Sequence, residues 1–206
     1  MSDGTAQGVL IRVTETVLLF VSANRTAERK NRKNKLLLRR NRVGTGLAVF
    51  TLFHVALSVV GIVAGFVVVF GLISAKQSKT SAGTFLVTTA ATSVTGFLFP
   101  FHKFLPSHAL GIISILVLAL TIPALYVFHL AGAWRRVYVS GSVIALYLNV
   151  FVLIAQFFMK IPALQVLAPT QSEPPFLGTQ IVVMLIFIVL GVLATKRFPG
   201  QPVHVS

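Results

Sequence analysis

The apolar part of this 206-residue chain offers few groups to chemistry. They are His54, His102, His108, His129 and His204, together with one carboxylate side chain, Glu173. There is no cysteine, which excludes thiolate zinc sites, iron–sulfur clusters, disulfides and covalently attached haem. Hydrolytic chemistry has no motif to rest on, since neither HExxH nor GxSxG occurs. Ionisable groups inside apolar segments are costly, so by default each is a functional candidate. Two imidazoles from different helices near one membrane face can ligate a b-type haem or a metal ion. His54 paired with His108 or His102 is the cofactor-binding set to expect, with Glu173 as an outer partner. A structural reading competes with it. His102 and His108 fit interfacial positions beside Lys103, and His54 fits a hydrogen bond to Asn or Gln on a neighbouring helix. His129, close to Trp134 and Tyr138, reads as an interfacial anchor, and His204 lies in the tail.

The elements that must position these groups follow from composition. Hydrophobic residues make up 55% of the chain, charged residues only 11%, and mean hydropathy is +0.88. A soluble domain is about a quarter charged. The expected fold is all-α: a polytopic membrane bundle of five spans at 47–74, 83–101, 109–131, 138–159 and 177–195. Each is close to the ~20 residues that cross a ~30 Å hydrocarbon core. Lys, Arg, His or Pro separates each from the next. The runs do not alternate apolar and polar residues, as lipid-facing barrel strands do. Three parts follow: a basic N-terminal segment, 1–45, partly disordered or an interfacial helix; the bundle, 46–199; and a tail, 200–206.

Polar residues within the spans are unevenly placed. In the fourth, Ser142, Asn149 and Gln156 recur at heptad spacing and share a face. Together with His54, His102, His108, Glu173 and Gln180, Gln156 falls toward the end of the bundle that holds residue 46, here called side one. Asn149, Gln156, Glu173 and Gln180 are therefore expected to form a polar cluster. The second span carries Thr84, Thr88, Thr89, Thr92, Ser93 and Thr95, which suit a helix packed inside the bundle. Ser58, Gly61 and Gly65 make a small-residue stripe for close helix packing, and Pro123 should kink the third span.

The net charge of +14 contains two opposed signals. Loops of the bundle place Lys76, Lys79, Arg135, Arg136, Lys196 and Arg197 on side two, against Lys103 and Lys160 on side one. The positive-inside rule then makes side two, and with it the C-terminus, cytoplasmic, and side one periplasmic. Residues 25–42 hold nine Lys/Arg against Glu28 and argue the reverse. This run suits anionic lipid headgroups at ~1 kcal/mol per cation. Nucleic acid is not expected, because no interleaved aromatics or binding motif accompany the run. The composition shift at residue 43 also raises the expectation that residues 1–42 are a start-site artefact and translation begins near Val43; peptides from 1–42 in native protein would overturn it.

The stretches FHVALSVVGIVAGFVVVFGL (53–72), TGFLFPF (95–101) and ALYLNVFVLIAQFFMKIPALQVLAPTQSEPPF (145–176) resemble a set of small, uncharacterised proteobacterial inner-membrane proteins. The resemblance spans roughly residues 48–197 and implies a multi-pass protein of a bacterial inner membrane. That family has no assigned activity, so no functional residue carries over from it. Helix count and histidine placement also give a likeness to small haem-binding membrane proteins. Three functions stay open: an accessory or structural subunit or assembly factor, bound to a membrane-protein partner or to a second copy; a haem- or metal-binding redox protein; and a small carrier or channel. A carrier is expected to show an internal repeat, and none is found between the halves. Enzymatic activity is not expected.

Overall fold

The computed structural model describes residues 3–99 and 106–198. Among these residues the regular elements are all helical: α1 (Asp3–Ile73), α2 (Lys79–Gly96), α3 (Pro106–Tyr126), α4 (Trp134–Lys160), α5 (Pro162–Leu167) and α6 (Pro174–Arg197). Among the described residues four segments are long and apolar enough to cross a membrane: Gly44–Ile73, His108–Tyr126, Trp134–Lys160 and Pro174–Arg197. The expected second span is a helix too, but its Thr and Ser residues hold it below that standard of apolarity.

The chain divides into two compact units, 1–52 and 53–206. In the first, the described side chains of Arg25, of residues 28–36 and of residues 44–49 are exposed. Thr51 Oγ1 donates back to Leu47 O at 2.8 Å, the local bond by which a hydroxyl satisfies itself within a helix.

The second unit is an up-and-down bundle, and its contacts set each helix's direction. Gly65 of α1 faces Phe85 of α2 and Leu146 of α4. Along α2 and α3, Gly83 lies by Tyr126, Ser93 bonds Ser114, and Phe97 lies over Gly111, so these helices run antiparallel. Along α4 and α6, Gly191 faces Val143 and Phe187 lies 5.6 Å from Tyr147. The core where α1, α2 and α4 meet is built from Val69, Leu72, Phe85, Tyr138, Val139 and Leu146. A smaller cluster of Phe158, Ala168 and Phe176 joins the end of α4 to α5 and the start of α6.

Outer faces are apolar. On α6 the buried residues Phe176, Gln180, Phe187 and Ala194 form one stripe, while Ile181, Leu185, Ile188 and Val192 point outward. Val59, Val63, Val67 and Phe70 do the same on α1. A protein that places its large aliphatic residues outward has lipid rather than water as its solvent.

Helix ends depart from the expected spans for local reasons. α3 keeps Pro123 within it and stops at Tyr126, where the Pro123 carbonyl accepts from both Val127 N and Phe128 N. The following turn uses positive φ at His129 (46°), Leu130 (63°) and Gly132 (53°), and Trp134 stacks on Phe128 at 3.8 Å. α4 therefore starts at Trp134, a turn earlier than hydropathy suggests. Pro162 and Pro174, each at a helix start where no amide hydrogen is needed, begin α5 and α6.

Candidate functional site

His54 sits on the part of α1 that packs in the second unit. Its Nδ1 lies 2.8 Å from Thr95 Oγ1 of α2. The Thr95 hydroxyl has one hydrogen, and Ala91 O at 2.7 Å, Thr92 O at 3.2 Å and His54 Nδ1 all lie within its reach. When the hydroxyl donates to Ala91 O it accepts from Nδ1–H, and Nε2 is then the ring nitrogen that carries the lone pair. Ser58 Oγ donates to His54 O at 2.9 Å, and Phe99 meets the ring edge-on at 5.1 Å. A histidine whose one nitrogen is bonded by a fixed partner and whose other carries the lone pair is arranged as metal-ligating histidines are.

His108, near the start of α3, is buried, and its ring lies 5.8 Å from Phe97. His102 and His204 lie outside the described residues. His129 is exposed in the α3–α4 turn. Among the described residues no group of three or more His, Asp or Glu is placed to hold a metal ion.

The polar residues expected to cluster go to different partners. Asn149 Nδ2 donates to the fully buried Thr89 Oγ1 at 3.0 Å, tying α4 to α2. Gln180 Nε2 donates to Phe151 O at 3.2 Å, tying α6 to α4. Gln156 is exposed. Glu173 stays within its own loop, accepting from Thr170 Oγ1 at 2.8 Å, Thr170 N at 3.1 Å and Ser172 N at 3.0 Å. Desolvation pushes the Glu173 carboxyl up, but these donors together outweigh it and hold the group below the usual carboxylate range.

The small-residue stripe lies at a close crossing. A Cβ on Gly61 would stand 3.1 Å from Thr88 Oγ1, and one on Gly65 would stand 2.6 Å from Leu146 Cδ1. The tightest approach is elsewhere: a Cβ on Gly141 would overlap Thr121 Oγ1 of α3. Ser93 Oγ also bonds Ser114 Oγ at 3.0 Å. Among the described residues, Thr92 Oγ1 and Gln180 Oε1 are buried without a partner.

Two side-two contacts had no signal beyond residue type. Gln77 Nε2 donates to the hydroxyl of the buried Tyr138. Arg135 Nη1 donates to Thr195 O and Phe198 O, supplying the last carbonyls of α6, which have no partner within the helix. No family model matches this chain, and the comparisons with curated proteins and with solved structures give no match either.

Proposed function

We propose that the chain is a five-span protein of a bacterial inner membrane, with side one periplasmic, that serves as an accessory subunit or assembly factor for a larger membrane complex. The observation that carries this reading is where its polar groups go. His54 to Thr95, Asn149 to Thr89, Ser93 to Ser114 and Gln180 to the Phe151 carbonyl each join two helices. Side chains spent this way hold a scaffold together. In this reading α2 crosses as the fifth span: its 18 residues extend ~27 Å at 1.5 Å each, and the hydroxyls of Thr88, Ser93 and Thr95 reach carbonyls of the preceding turn. A binder of b-type haem or metal is the second reading, with His54 beside His102 or His108. The bond between His54 Nδ1 and Thr95 favours it, since the Nδ1–H tautomer leaves the Nε2 lone pair to a ligand.

An absorbance spectrum with metal analysis on detergent-purified protein separates the two. A scaffold gives a colourless, metal-free preparation. A Soret band, lost in His54→Ala, would overturn the scaffold reading in favour of the haem one.

A further inference from the structure

A groove of about 470 Å³ runs between α4 and α6. That lies within the ~300–1,000 Å³ range of small-molecule sites. Gly191 opens it: the nearest atom a Cβ there would meet is Val143 Cγ1, at 3.5 Å. Its walls toward mid-bundle are apolar and aromatic, from Val143, Tyr147, Met184 and Ile188. Apart from the Tyr147 phenol, its polar lining is confined to the side-two end, where Ser140, Thr195 and Lys196 stand.

Charge at that end is one-sided. Lys196 and Arg197 are exposed at the end of α6, and Arg136, also exposed, lies one turn before Ser140 on the same face of α4. Glu173, the carboxylate side chain of this unit, is at the opposite end. Arg135 is committed to Thr195 O and Phe198 O, so it clamps the two helix ends that form the mouth without neutralising it.

We propose that this groove binds an anionic glycerophospholipid, with one acyl chain along Val143, Tyr147 and Gly191 and the phosphate at the mouth against Lys196 and Arg136. The proposal rests on the membrane reading of these helices. An amphiphile with an apolar tail and an anionic head has the same polarity profile as the groove, and basic pockets between spans at the cytoplasmic face are where such headgroups bind. A symmetric second copy in the same orientation would bring its own Arg136 and Lys196 against this mouth, so like charge disfavours it.

The test uses the full chain reconstituted into vesicles of equimolar phosphatidylcholine and phosphatidylglycerol. The vesicles are floated, extracted in mild detergent and analysed by native mass spectrometry. The native protein is expected to retain phosphatidylglycerol in preference. Arg136→Gln with Lys196→Gln should lower that retention by roughly 25-fold, from two contacts of about fivefold each. Gly191→Leu, which fills the groove, should lower retention of both lipids while leaving the helical circular dichroism unchanged. Because the basic run at 25–42 is the same in every variant, the difference between variants isolates the groove. Protein that floats but retains both lipids equally, or a charge variant that retains as much phosphatidylglycerol as the native chain, overturns the site. So does a disulfide between cysteines placed at position 188 in two copies that forms in place of lipid retention. Protein that fails to float overturns the membrane reading itself.

Discussion

Gly141→Ala should loosen the α3–α4 crossing, and the size of the effect follows from what surrounds the missing side chain. The new methyl would overlap Thr121 Oγ1 and stand 3.1 Å from Thr121 Cβ and 3.3 Å from Thr121 Cγ2. Turning the Thr121 side chain relieves this only in part, because even the rotamer that aims the Cβ hydrogen at α4 leaves Thr121 Cβ 3.1 Å away. Thr121 is fully buried, and its hydroxyl already donates to Val117 O at 2.7 Å. The helices must therefore part, and overpacking of this kind costs about 1–3 kcal/mol. Alanine is also the better helix former by about 1 kcal/mol, which would mask part of the loss. Gly178→Ala is the matched control, since nothing lies within 4 Å of a Cβ at that position on α6. The difference between the two variants should then report the overpacking alone. Reversible unfolding in mixed detergent–dodecyl sulfate micelles, followed by circular dichroism, measures it. Adding Thr121→Ala to Gly141→Ala should restore at least about 1 kcal/mol, since the two residues touch and their effects are not additive. Equal stability of Gly141→Ala and Gly178→Ala, or no recovery in the double variant, would refute the argument.

Other expectations are simpler. Asn149→Leu removes the bond to Thr89 and should cost about 0.6 kcal/mol, at most about 1.7, in the same assay; a double variant with Thr89→Val that is fully additive would contradict the coupling. Arg135→Gln withdraws the donor from the end of α6, so amides of residues 195–198 should exchange faster with solvent while those of mid-α4 do not. Glu173 is held below the usual carboxylate range, so its folded form takes up a proton less readily than an unfolded chain. Its stabilising contribution is therefore present above the ordinary carboxylate pKa and is lost as pH falls through the lowered value. Protease nicking of the 169–173 loop should rise in that acid window, and Glu173→Gln should remove the pH dependence.

The helices that can cross a membrane were legible because length and hydropathy alone decide them, as at Trp134–Lys160 and Pro174–Arg197. Their partners were not. Asn149 was expected in a polar cluster with Gln156, Glu173 and Gln180; that it meets Thr89 instead depends on how α4 is rotated against α2. Ser142, Asn149 and Gln156 share a heptad face, yet Ser142 is buried and Gln156 exposed. The neighbouring helices cover only part of α4's length, and periodicity carries no information about that. Gly61 and Gly65 stand out as a spaced glycine pair, whereas Gly141, which makes the closest approach, is marked only by the weaker Gly141–Ala145 spacing. The Thr95–His54 bond joins residues 41 positions apart and was invisible for the same reason.

Arg135 and the Phe158–Ala168–Phe176 cluster act on opposite ends of one helix. At side two, α6 is tied to α4 through its last carbonyls; at side one, Phe176 is wedged among aromatic and aliphatic side chains of α4 and α5. Between these two ends Gln180 bonds the Phe151 carbonyl, Phe187 packs on Tyr147 and Gly191 faces Val143, so α6 is pinned along its length as well. A helix pinned at so many points is not a hinged arm. Whatever enters between α4 and α6 lies along the open outer side of their seam, with the contacts that hold the two helices together left in place.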